Sequence, residues 1–267
     1  VANVSTCAGR LYVDDHGSGP AIVLWPSLLS DGTLYRYQRD ELARDHRVLT
    51  IDPPGHGRSE AAGHPFTLED CARAQLEVLD AFGIDDAVLI GVSWGGMTAM
   101  RAALLAPRRV KALGLLDTSA DPESPWAKPR FRVLLEIFKR WGPVGPLVPA
   151  IRDIMFARET IRSKPDLVDE VLSRLETFDR AGVCEAVEAV VFSRRSILDD
   201  LPRITVPALV AVGSEDKATP PFRSERIAKT LPNARLEKIP GAGHLSTLEA
   251  PFTVNRLLRE LLERVWI

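Results

Sequence analysis

Cysteine is scarce in this 267-residue sequence: Cys7, Cys71 and Cys184 stand far apart, an odd set with no CxxC pair. That excludes a disulfide framework, offers nothing to zinc or thiol–disulfide chemistry, and fits idle thiols in a reducing compartment. An excess of one charge is missing too, since 34 Lys and Arg face 36 Asp and Glu for a formal charge of −2. So balanced a chain lacks the basic field with which proteins hold nucleic acid, and no nucleic-acid partner is expected. The longest apolar runs, 21–26 and 206–212, are strand-sized, against the roughly 20 residues that a bilayer span needs, so no membrane partner is expected. Val1–Ser5 has no basic stretch followed by an apolar one; no signal peptide is read there, and the cytoplasm is the default compartment. HExxH, DxDxDG, GxGxxG and Walker patterns are all wanting, so neither a metal nor a cofactor is expected.

What is present is the material of one large α/β domain. Hydrophobic residues make up 45% of the chain, ample for a core. Short runs rich in β-branched residues (21–25, 47–51, 87–90, 110–116, 208–212 and 235–239) alternate with longer helical patterns. That rhythm predicts a mostly parallel sheet flanked by crossover helices. Thr67–Asp70 and Ser246–Glu249 resemble capping boxes, and Thr219-Pro220-Pro221 offers an N-cap with Pro at the first helical position. Leu257, Leu258, Leu261, Leu262 and Val265 give the last helix an apolar face. Between Thr118 and Asp200 the strand rhythm stops among prolines and helical stripes such as Leu134, Leu135, Phe138 and Trp141, and it resumes at Ile204-Thr205-Val206. The expected organisation is a core of 1–117 and 201–267 with a helical cap, 118–200, inserted between two strands.

Chemistry concentrates at the ends of the expected strands. Gly91-Val92-Ser93-Trp94-Gly95 follows the strand 87–90 and opens a helical pattern. A serine on so sharp a strand-to-helix turn is exposed as a nucleophile, and only small residues two positions before and after it avoid collision. Its hydroxyl needs a base to take its proton and an acid to orient that base. Of the five histidines, His244 lies in a Gly-rich loop just past the last strand, where sites in open α/β sheets sit. His56, in Pro53–Ser59, also follows a strand and is the rival; His46 and His64 read as solvated. Asp216, just beyond the strand ending at Val212, is the preferred acid, with Glu215 beside it and Asp117 after 110–116 as alternatives. The chain order Ser93, Asp216, His244 matches the Ser…Asp…His order of one fold type.

On these motifs the chain resembles the α/β-hydrolase superfamily over essentially its whole length. Within it, Pro26–Asp31, Gly95–Thr98, Glu215–Pro221 and Gly243–Ser246 are similar to the 3-oxoadipate enol-lactonase-like subgroup, from which Trp94, Pro26 and Leu29 depart. The resemblance implies an α/β-hydrolase fold and gives His56 a structural role. One oxyanion-hole N–H is expected from Trp94, just after the nucleophile, and one from the loop after Trp25. Pro26 has no N–H, which leaves Ser27 or Leu28, and the family pattern favours Leu28. In the cap, Arg130, Arg132, Arg194 and Arg195 are the cations that could meet a substrate carboxylate, though such arginines are more often solvated. Trp126 and Trp141 are expected in the cap core or at its interface.

The leading expectation is a cofactor-free serine hydrolase of small carboxylic esters or lactones, working through an acyl-enzyme on a small-molecule substrate. Haloperoxidase or perhydrolase chemistry and carbon–carbon bond hydrolysis of ring-fission products are the enzymatic alternatives. A small-molecule receptor is the non-enzymatic one. Self-association into a homo-oligomer stays open.

Overall fold

The computed structural model describes residues 1–266. Eight strands form one sheet: β1 (Ala2–Thr6), β2 (Gly9–Gly17), β3 (Ala21–Trp25), β4 (Arg47–Ile51), β5 (Ala87–Val92), β6 (Val110–Leu116), β7 (Ala208–Gly213) and β8 (Ala234–Ile239). Their order is β1-β2-β4-β3-β5-β6-β7-β8; β1 and β2 pair antiparallel, β2 joins β4 antiparallel, and all later pairs are parallel. Every residue of β3, β5 and β7 is buried, as strands covered on both faces must be. Alternate side chains feed two apolar layers: Val23, Leu89 and Leu115 on one face, Ile22, Val88 and Leu116 on the other.

The helices are α1 (Arg36–Leu42), α2 (Leu68–Ala81), α3 (Trp94–Leu105), α4 (Lys128–Trp141), α5 (Leu147–Met155), α6 (Arg158–Ser163), α7 (Pro165–Ser173), α8 (Arg180–Val187), α9 (Pro221–Thr230), α10 (Ser246–Glu249) and α11 (Pro251–Glu263), with Phe138 of α4, Leu147 of α5 and Val183 of α8 in an apolar cluster apart from the two sheet layers. At the start of α2 the capping box forms as expected: the Thr67 hydroxyl accepts from Asp70 N–H, and the Asp70 carboxylate accepts from Thr67 N–H. Helix α11 buries Val254, Leu257, Leu258, Leu261 and Leu262, so the apolar stripe at its C-terminal end does face the core.

Several expectations are corrected. The hairpin β1–β2 was not read from the sequence, because its polar, half-exposed edge residues lack the apolar signature of the buried strands. Strand β7 begins at Ala208, as the run 208–212 suggests, but the stretch from Ile204, where strand rhythm is expected to resume, is not part of it; 198–203 is a 3-10 helix, and Pro207, which has no N–H, contributes only its carbonyl, to Leu113 N–H. Neither Thr219 nor Ser246 caps a helix: α9 is capped by Pro220 and α10 by Leu245, and both hydroxyls are used elsewhere. His46 is buried, bonded to Asp45 and packed on Trp266. Trp126 and Trp141 are 93% and 56% exposed and so belong to no core.

The sheet also fixes where a site can form. Strand β3 lies between β4 and β5, so the chain leaves β3 to one side and returns to the other. The loops after β3 and β5 therefore diverge and open a crevice at the carboxyl ends of the strands. Helices α4 to α8 lie in the segment between β6 and β7. That segment is not wholly apart from the rest, since Met155, Phe156 and Val168 join the same apolar layer as Ile22 and Leu24.

Candidate active site

Ser93 sits between β5 and α3 at φ 53°, ψ −109°. The turn is possible only because its neighbours lack side chains. A Cβ on Gly91 would lie 2.0 Å from Gly95 C, and one on Gly95 would lie 1.8 Å from Trp25 O. The bend is held by Ser93 N–H to Leu116 O at 2.9 Å and by the Thr118 hydroxyl to Ser93 O at 2.6 Å. Three non-glycine residues have positive φ: Leu29, Ser93 and Asp117, among the described residues. They follow β3, β5 and β6, three adjacent strands, and such strain, about 1–3 kcal/mol per residue, persists where surrounding structure enforces it.

His244 and Asp216, each just past a strand, lie within hydrogen-bond distance of each other. His244 Nδ1 lies 3.0 Å from both carboxylate oxygens of Asp216. Asp216 Oδ1 also accepts from Ala218 and Thr219 N–H, each at 2.9 Å, and the Thr219 hydroxyl lies 2.8 Å from Oδ2. Burial works against a charged His244 imidazole. The Asp216 charge and hydrogen bond, with Asp117 and Glu249 behind them, outweigh it and carry the His244 pKa above its ordinary value. On the other ring nitrogen, Nε2, the neighbour is Ser27 Oγ at 3.5 Å. No hydrogen bond joins Ser93 Oγ to the imidazole among the described residues, although Ser27, Ser93 and His244 line the same cavity. In the absence of substrate such bonds are commonly long.

Two carboxylates that do not touch the imidazole hold its loop. Asp117 is fully buried; its Oδ1 accepts from Gly213 N–H at 2.8 Å and its Oδ2 lies 2.5 Å from Ser246 Oγ. It thus ties the loops after β7 and β8 together. Burial, with the Asp216 charge nearby, pushes its pKa up to about 8. Glu249 Oε1 accepts from Gly243 and Leu245 N–H at 2.9 and 3.2 Å, one residue either side of His244. Its Oε2 accepts from Ala157 N–H at 2.9 Å and the Thr160 hydroxyl at 2.6 Å. His244 N–H itself donates to Met155 O at 3.0 Å. The sequence reading missed Glu249 in this role: Ser-x-x-Glu before a helix also describes a capping box, and nothing local separates the two.

His56 is structural here. Its Nδ1 faces Pro54 O at 2.8 Å, and its Nε2 accepts from Leu29 N–H at 3.2 Å. Burial, against the pull of that carbonyl, drives its pKa down to about 4, so the imidazole is neutral and Nε2 is free to accept. That bond fixes Leu29 at φ 62° in a turn closed by Ser30 N–H to Ser27 O at 3.2 Å. Leu28, at the centre of this turn, lines the cavity with Ser93. Trp94 is the first residue of α3, where an N–H has no intrahelical acceptor. Its fully buried ring packs edge-on to Trp25 and His56 and stacks on Phe66, which accounts for a residue unusual in the enol-lactonase pattern.

The cavity measures about 150 Å³. Of the four cap arginines, Arg130, Arg132 and Arg195 are exposed and outside it, and Arg132 pairs with Glu188; Arg194 alone lines it. No group of three or more His, Cys, Asp or Glu is placed to hold a metal ion, and no helix is long and apolar enough to cross a membrane, among the described residues.

Known proteins share this fold. An esterase from Thermogutta terrifontis, solved with malate bound, superposes with a TM-score of 0.92 at 31% identity, over 100% of this chain and 99% of that one. The enol-lactonase from Burkholderia xenovorans LB400 superposes with a TM-score of 0.90 at 26% identity, over 98% and 100%. In sequence, polyketide synthase ThaQ of Burkholderia thailandensis is 34% identical over 85% of this chain, which spans only 11% of that much longer protein. The family described as alpha/beta hydrolase fold matches residues 20–251. With the expected mostly parallel sheet present, the chain belongs to the alpha/beta hydrolase fold family.

Proposed function

We propose that this protein is a cofactor-free serine hydrolase that cleaves a small carboxylic ester or lactone through an acyl-enzyme. One observation carries the reading: Ser93, held at φ 53°, shares a cavity with a His244 whose Nδ1 is bonded to Asp216. Ser93 Oγ attacks the ester carbonyl while His244 Nε2 takes its proton, and the imidazolium formed is stabilised by Asp216. The N–H groups of Trp94 and Leu28 meet the oxygen that becomes negative in the tetrahedral intermediate. The imidazolium then protonates the leaving alkoxide. Water enters, gives a proton to His244 and attacks the acyl carbon, and collapse frees the acid and Ser93. Residues 118–200 serve as a cap that covers the acyl group and limits water. The esterase and enol-lactonase likenesses support an ester-acting enzyme.

Fluorophosphonate labelling tests this, because two serines flank the base. Wild type and Ser27→Ala should label stoichiometrically and Ser93→Ala should not. Labelling that survives in Ser93→Ala, or is lost only in Ser27→Ala, would remove Ser93 from the mechanism.

A further inference from the structure

Apart from the reacting groups, the cavity has one polar wall, and its charges are engaged with each other. Glu123, in the segment leaving β6, and Arg194, beyond α8, both line it, with side chains 10% and 4% exposed. Arg194 Nε donates to Asp121 O at 2.9 Å, Nη1 to Val190 O, and Nη2 to Glu123 Oε2 at 3.2 Å. Glu123 Oε1 accepts from Arg223 Nη2 and from Ser124 N–H, both at 2.9 Å. Arg223 stands behind the carboxylate, outside the lining, with its Nη1 3.4 Å from Ser119 Oγ and Pro122 O. Elsewhere the cavity is walled by side chains such as Leu28, Met97, Phe131, Leu134, Ile151 and Val187.

We propose that the acyl group this site accepts is neutral and aliphatic, and that Glu123 enforces the choice by occupying Arg194. The proposal rests on the acyl-enzyme reading above. An acyl chain ending in a carboxylate would leave water for an apolar enclosure, at a cost that only a free cation can offset. The one cation it would meet already spends three of its five N–H donors on protein acceptors, and the carboxylate of Glu123 sits beside it as a counter-charge shared with Arg223. Size sets the length. The cavity, open to solvent on one side, has a volume of about 150 Å³ that also takes in the space beside Ser93 and His244, so a short acyl chain of about six carbons is the upper length we assign.

The experiment compares kcat/KM for p-nitrophenyl esters of straight-chain acids from acetate to decanoate with mono-p-nitrophenyl adipate, the carboxylate-bearing counterpart of the hexanoate. In wild type kcat/KM should rise to a maximum near hexanoate, and hexanoate should exceed the adipate half-ester by about 100-fold or more. Glu123→Gln keeps the shape but leaves Arg194 and Arg223 without their counter-charge, so the ratio of hexanoate to adipate should fall at least about tenfold. Equal or faster turnover of the adipate half-ester by wild type overturns the proposal, and so does an unchanged ratio in a folded Glu123→Gln protein. If Glu123→Gln fails to fold, the wild-type comparison decides alone. Fluorophosphonate titration separates the two levels. Ser93 that labels while adipate is preferred sinks the substrate class only, whereas Ser93 that does not label sinks the hydrolytic reading itself.

Discussion

Replacing Asp216 by Asn changes one atom, and the hydrogen bonds around it dictate the result. Ala218 and Thr219 N–H both donate to Oδ1, so the amide oxygen of Asn must take that place. The NH₂ group then occupies the Oδ2 position, 3.0 Å from His244 Nδ1, and donates to it in competition with the amide oxygen, which lies equally close and can accept only from the other tautomer. A ring nitrogen that accepts there carries no proton, so the imidazole holds its proton on Nε2 and cannot receive one from Ser93. Loss of the correct tautomer in a comparable triad costs about 10⁴ in kcat, which is about 5 kcal/mol of transition-state stabilisation. The assay is kcat for p-nitrophenyl hexanoate with the rate of fluorophosphonate labelling, read beside a melting curve, and KM should change little. A loss smaller than about tenfold in a folded variant would refute the argument. So would a larger loss in Asp117→Asn, which would move the acid to the end of β6.

Asp117→Asn should instead be read in stability against pH. Because the folded-state pKa is raised from 3.8 to about 8, the native state holds the extra proton between these values, and the contribution of Asp117 is full below 3.8 and lost as pH rises through about 8. Asn mimics the protonated form, so the melting temperature of the variant should gain on wild type as pH climbs across that window; a constant difference would contradict the assignment. Glu249→Gln gives one of its two donor pairs an NH₂ group in place of an acceptor, displacing either the His244 loop or the start of α6. We expect kcat to fall about 10- to 100-fold with KM nearly unchanged, and equal effects on both constants would mark a purely structural residue. His56→Leu leaves Leu29 N–H without its acceptor. Disturbing the turn that carries Leu28 should lower kcat by about 10²-fold if that turn supplies an oxyanion donor, while an undiminished kcat would take Leu28 out of the hole.

What the sequence made legible follows from how local each signal is. The buried parallel strands announce themselves because both faces are apolar, and the elbow because Gly91 and Gly95 have no room for a side chain. Asp216 and His244 could be named because each stands just past a strand. The edge hairpin β1–β2 stayed hidden, its half-exposed residues mixing polar and apolar without a run. Asp117 could be named as an alternative acid, but its bridging role and that of Glu249 were hidden for another reason. Asp117 and Glu249 act across sequence separations of 129 and 92 residues, to Ser246 and to Ala157, and no local pattern encodes a partner so distant. Thr219 and Ser246 show the same limit from the other side: their contexts look like helix caps, yet Asp216 and Asp117 take their hydroxyls.

The bonds from α5 and α6 to the histidine loop bear on how this fold can be recombined. His244 N–H rests on Met155 O, and Glu249 binds Ala157 and Thr160, so part of the inserted segment is the scaffold of the base. A chimera with crossover points at 118 and 200 would import a foreign segment and discard the seat of its own histidine. Exchanging α4 and α8 alone replaces Phe131, Leu134, Val183 and Val187 in the cavity wall and leaves that seat in place. Within one inserted segment, the portion free to diverge for new substrates and the portion bound to the chemistry are adjacent helices.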